Sequence, residues 1–92
     1  MRVRERETSL LYILNIVQTL TRTEIDILLD LYHGMSRKDI CERRFIELST
    51  LRSHIQHILK KFHATDMKAV IDHLNSLSLF DLIARYSDEH KE

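Results

Sequence analysis

The sequence predicts an all-α fold, a small helical bundle, and three observations carry that prediction. The 92-residue chain has no proline and one glycine, Gly34, so almost nothing in it interrupts a helix. Its apolar residues recur at three- and four-residue spacing in successive segments. Between those segments stand side chains suited to bonding the free amides of a helix start: Thr21, Ser36, and either Thr65 or Asp66. With 43% apolar and 30% charged residues the chain has the makeup of a folded domain rather than a disordered one. Its length supports one modest core, so residues 1–92 are read as a single domain.

The first helix is expected over about 5–19. Leu10, Ile13, Leu14 and Val17 form a stripe that Leu11 and Ile16 widen. So broad a face either meets a second chain or is wholly buried in this one. In the next segment Thr21 and Glu24 have capping-box form, hydroxyl to amide and carboxylate back to the cap amide. Ile25, Leu28, Leu29 and Tyr32 continue it as a helix over about 22–33, ended by Gly34. Ser36, with Asp39 in the box position, starts a short helix over 37–44 whose Ile40 and Cys41 point inward. A turn at 45–47 leads to a fourth helix over 48–62, with Leu48, Leu51, Ile55, Ile58, Leu59 and Phe62 on one side. A fifth helix follows over about 67–77, then a break at 76–78 and a last helix around 79–86. Residues 78–92 form an acidic tail whose end, 87–92, is expected to fray.

Charge is distributed unevenly although it sums to zero. Residues 34–68 carry eight basic and four acidic side chains, whereas 69–92 carry two basic and five acidic. A generic polyanion binder is thereby excluded, and a local anionic partner for the middle of the chain is favoured. The longest nearly apolar run, 10–17, is too short to span a membrane. No small-residue cleavage site follows it, and the one cysteine, Cys41, has no partner for an internal disulfide. These features place the chain in the cytoplasm, without membrane attachment.

A short helix, a tight turn and a longer amphipathic helix with a polar face is the helix-turn-helix pattern. The first helix braces the second across the phosphate backbone, and the second reads base edges in the major groove. The residues themselves go further. Leu20, Thr21, Glu24, Leu28, Leu31, Gly34, Ser36, Lys38 and Ile40 match in order, without a gap, the first half of a known pattern. Thr50, Leu51, Arg52 and His54, then Ile58, Leu59, Lys61 and Phe62, match its recognition helix. The chain thus resembles the LuxR/GerE-type helix-turn-helix domain of bacterial transcription regulators, closely over 20–62 and more loosely to about 77.

The resemblance implies a tri- or tetra-helical unit over 20–77, flanked by an extra helix at 5–19 and the acidic tail. It implies binding of double-stranded DNA by the helix at 48–62, with Arg52, Ser53 and Gln56 on bases and Thr50, His54 and Lys60 near phosphates. Arg37 and Lys38, at the start of the bracing helix, are further phosphate contacts. Arg52 suits guanine and Gln56 adenine, each by two hydrogen bonds. It also implies a homodimer through the helix at 67–77, with Val70, Ile71 and Leu74. Leu10, Leu11, Ile13, Leu14 and Val17 of the first helix are the other dimer candidates. Two positions depart from the pattern: Glu47 stands where a small polar cap is usual, and Arg44 replaces an apolar core residue. Arg44 must therefore snorkel outward or rearrange its surroundings. The sequence shows neither a receiver nor a ligand-sensing domain, so control is expected through abundance, dimerisation or a protein partner.

Other chemistry is not indicated. His54, His57 and His63 share one segment, but zinc needs three or four convergent ligands and no acidic or cysteine partner is suitably spaced. No metal or cofactor is expected, and Cys41 reads as a packed thiol. No nucleophile–base pair, phosphate loop or carboxylate pair marks an enzyme. The reading is a dimeric, sequence-specific DNA-binding transcription regulator. Its rival is a protein-interaction module, such as an anti-activator that binds a larger regulator, favoured by the apolar first helix, the acidic tail and Glu47.

Overall fold

The computed structural model describes the backbone of residues 2–89 and the side chains of residues 10–85. Six helices follow in order: α1 Arg2–Thr19, α2 Arg22–Tyr32, α3 Arg37–Arg44, α4 Leu48–Phe62, α5 Met67–Ser76 and α6 Phe80–Glu89. The boundaries of α3 and α4 coincide with the sequence-based ones. The terminal helices run three residues further out at each end than expected: α1 starts at Arg2, and α6 continues through Glu89. Residues 90–92 of the expected frayed end lie outside the described residues.

Local hydrogen bonding explains where the chain turns. The Thr21 hydroxyl accepts from the Glu24 amide at 3.1 Å, and the Glu24 carboxylate accepts from the Thr21 amide at 2.9 Å, so the capping box closes in both directions. Ser36 closes only half of one: its hydroxyl accepts from the Asp39 amide at 3.1 Å, with no return bond from Asp39. Asp66, rather than Thr65, caps α5 by accepting from the Ala69 amide at 2.8 Å. Gly34, at φ 84°, lets the Met35 amide reach back to the Asp30 carbonyl and end α2. Three other helix-ending turns use left-handed residues that are not glycine: Phe45, His63 and Ser78, at φ 56°, 53° and 56°.

α4 lies at the centre and packs against α1, α2, α3 and α5, while α6 lies along α2. Its Leu51, Ile55, Ile58 and Leu59 enter the core with Ile25, Ile27 and Leu28 of α2, Ile40 of α3, and Met67, Val70 and Leu74 of α5. The outer helices extend that core. α6 buries Phe80 and Ile83, and the Phe80 ring stacks on Tyr32 with centroids 3.7 Å apart. α1 buries Ile13 and Ile16, followed by Leu20. The buried edge of α1 is therefore Ile13–Ile16–Leu20, rotated from the expected stripe, and Leu10, Leu14 and Val17 are only partly covered. None of the described helices is long and apolar enough to cross a membrane.

Two buried carboxylates tie the helices together. Glu24, its side chain 5% exposed, accepts from Lys61 Nζ at 2.7 Å, and the same ammonium donates to the Thr19 carbonyl at 2.8 Å. The end of α4 is thus bonded to the α1–α2 junction. Asp30, 7% exposed, accepts from Arg44 Nε at 2.7 Å, and the Arg44 guanidinium also lies 3.8 Å from the Asp26 carboxylate. Arg44 neither leaves the protein surface entirely nor disrupts the core; it lies along α2, paired with two carboxylates.

Candidate nucleic-acid interface

The placement of α4 determines which of its side chains are free. With one side committed to the core, Ser49, Thr50, Arg52, Ser53, Gln56, His57 and Lys60 are exposed, and His54 is half-buried. Arg52, Ser53 and Gln56 therefore share one open face, as their three- and four-residue spacing on a helix requires. α3 crosses beside the start of α4 and brings Arg37 and Lys38 to the same place. An open cleft of about 530 Å³ between the two helices is lined by Arg37, Lys38, Cys41, Glu42, Leu48 and Arg52. Three cationic side chains and one carboxylate thus surround a single hollow at the first turns of α3 and α4.

The remaining predicted contacts lie elsewhere. Lys60 borders a second, shallower hollow with His57, Lys61 and Glu24, near the C-terminal end of α4. Thr50 is exposed on the first turn of α4. Glu42, His57 and Leu48 were not among the predicted site residues, although all three line these hollows. The presence of Glu42 depends on how α3 meets α4. Cys41 is half-buried, packed against the core on one side and bordering the cleft on the other.

Electrostatics also fix the supports of the interface. Burial pushes the Glu24 carboxyl upward, but the Lys61 hydrogen bond, the Thr21 amide and the attraction of the ammonium outweigh it, so the group titrates below its ordinary 4.5. The hydrogen bond to Asp30 is the main influence raising Arg44 above its ordinary value. Glu47 is different. It occupies the N-cap of α4 with extended backbone, its side chain is exposed, and it makes no capping hydrogen bond.

A short brace helix, a three-residue turn and a central helix with one polar face free are now in place, and the family model for bacterial regulatory proteins of the luxR family matches residues 18–74. The chain belongs to that family. The luxR match runs from the end of α1 into α5, so α2 to α5 are its core, and most of α1 and all of α6 lie outside it. Two relatives from Bacillus subtilis (strain 168) are similar over part of the chain. The transcriptional regulatory protein LiaR is 37% identical over 62 residues, 65% of this chain and 29% of LiaR. The uncharacterized transcriptional regulatory protein YxjL is 31% identical over 51 residues, 55% of this chain and 23% of YxjL. The chain therefore spans less than a third of the length of either relative. No solved structure matches it at comparable significance.

The predicted dimer residues divide. Ile13, Val70 and Leu74 are buried within the chain's own core, which leaves them no surface for a partner as the helices stand. Leu10, Leu14, Val17 and Ile71 are partly covered, and Leu11 is 63% exposed.

Proposed function

We propose that this luxR-family chain is a cytoplasmic, sequence-specific DNA-binding transcription regulator in which α4 enters the major groove. The observation that carries this reading is the open face of Arg52, Ser53 and Gln56 beside the cleft that Arg37 and Lys38 share with Arg52. α4 has 15 residues. It is therefore about 22 Å long, and the groove is about 12 Å wide, so several base pairs lie within its reach. In this arrangement Arg37 and Lys38 meet one phosphate strand and set the register, while Arg52 and Gln56 read bases. Thr50 and His54 face the backbone near the start of α4, and Lys60 does so further along.

Selection of random duplexes at two salt concentrations tests the reading. The protein is expected to enrich a motif that Arg52→Ala/Gln56→Ala no longer enriches. Retention without a motif, weakened by salt, would reduce the function to backbone binding.

The active form in this proposal is a homodimer that joins Leu11 and Leu14 of α1, or the Ile71 side of α5, to a second copy. Sedimentation at increasing concentration reads the dimer directly, and a monomer throughout would refute it. A second reading has its own support. Leu11 and Tyr12, 63% and 49% exposed, place an apolar edge on α1 outside the matched region. Such an edge suits a larger regulator as partner; co-purification of one with no retention on DNA would favour that reading.

A further inference from the structure

Glu47 is the one acidic side chain at the leading end of α4, and its surroundings give it no structural task. The residue at an N-cap ordinarily accepts a hydrogen bond from the first turn, and Ser, Thr, Asp and Asn do so well. Thr21, Ser36 and Asp66 cap their helices in this way. Glu47 has the same extended backbone, φ −80° and ψ 159°, yet its longer side chain makes no such bond. Nor does it join any of the ion pairs formed by Asp26, Asp30, Glu24 and Asp72. Among the described residues it has no partner, and it is an exposed carboxylate at the end of the helix that a helix-turn-helix directs toward base edges.

From this placement, which rests on the DNA-binding reading above, we infer that Glu47 is a specificity-determining residue that selects cytosine in the groove. The chemistry follows from what a carboxylate accepts and what it repels. Among groups presented in the major groove, the cytosine N4 amino group is a donor with no adjacent acceptor on its own base. Guanine presents two acceptors, N7 and O6, and thymine an acceptor and a methyl group, so both reject a carboxylate. Adenine also offers an amino group, N6, but the N7 acceptor beside it on the same base opposes a carboxylate, and phosphates reject it as well. Glu47 thus weakens binding to most sequences and strengthens it to those with cytosine at one position. Arg52, five residues along the helix, makes the opposite selection for guanine.

The test is duplex selection with the full chain, followed by affinities for single-base variants of the selected site, for wild type, Glu47→Gln and Glu47→Ser. A single acceptor–donor pair corresponds to about five- to tenfold in affinity. Glu47→Gln is expected to lose cytosine enrichment at one position, binding the cytosine site about fivefold more weakly and the other variants more tightly. Glu47→Ser supplies the missing cap and removes the carboxylate, so it should show the same change in motif together with a higher melting temperature. A uniform gain in affinity across all variants would overturn the inference, because Glu47 would then act only by repelling phosphate. An unchanged motif that Arg52→Ala/Gln56→Ala abolishes would overturn it while leaving the DNA-reading function intact. A wild-type protein that selects no motif would remove both.

Discussion

Replacing Lys61 with methionine isolates the ion pair that fastens α4 to the α1–α2 junction. Methionine keeps most of the aliphatic stem but removes the ammonium that donates to Glu24 and to the Thr19 carbonyl at 2.7 and 2.8 Å. Glu24, 5% exposed, is left with the backbone and side chain of Thr21. Removing one partner of a fully buried pair costs about 3–5 kcal/mol, and a charge-assisted hydrogen bond about 1.5–3 kcal/mol. Lys61 is 31% exposed, so solvent screens the pair and the expected loss lies at about 2 kcal/mol. For a domain of this size that lowers the melting temperature by about 8–16 °C. The loss should depend on pH in a definite direction. In the wild type the Glu24 carboxyl titrates below 4.5, so its stabilisation is complete above 4.5 and is lost as pH falls through the lowered value. Without Lys61, burial dominates and protonation relieves it, so acidification no longer costs the variant stability at this group. Melting curves followed by circular dichroism from neutral pH downward should show the two proteins converging below pH 4.5. A difference that stays constant with pH would refute the reasoning and assign the effect to packing of the stem.

Two further substitutions probe the other unusual contacts. Arg44→Leu should cost about 2–3 kcal/mol, because it leaves Asp30 buried beside the exposed end of Arg43. Arg44→Leu/Asp30→Leu should recover most of that loss in a double-mutant cycle read by urea denaturation. Phe45 is 94% exposed and sits in the left-handed region, where asparagine is better tolerated. Phe45→Asn should therefore raise stability by about 0.5–1 kcal/mol, and a lower melting temperature would mean that the ring has a partner within the fold.

Helix positions were legible because their signals are local. The Thr21–Glu24 box and Gly34 are defined by residues at most four apart, and they bound α2 in the structure as in the sequence. The face of α4 followed from the same periodicity, so Arg52, Ser53 and Gln56 could be placed on open surface before any packing was known. Local signals fail where a charge answers to a distant one. Lys61 bonds a carboxylate 37 residues away and Arg44 one 14 residues away, and neither distance leaves a pattern in the chain. In isolation Arg44 looked like an intrusion into a core. For the same reason the broad apolar face of α1 was visible but its buried edge was not: Ile13 and Ile16 are buried while Leu10, Leu14 and Val17 are partly covered, because the orientation depends on how α1 meets α4.

The arrangement also separates the two parts of the molecule that any regulator of this kind must combine. Among the described residues, the cleft is lined by α3 and α4 alone. α6 lies on α2, and α1 lies on α4 at the face that Ile13 and Ile16 share with the core. The described side chains of the helices outside the luxR match therefore enlarge the core and do not line the cleft proposed to meet DNA. Lys61 links these regions, since one ammonium bonds both the last residue of α1 and the start of α2 from the end of α4. A change in the seating of α1 would then reach α4 through a bond already formed.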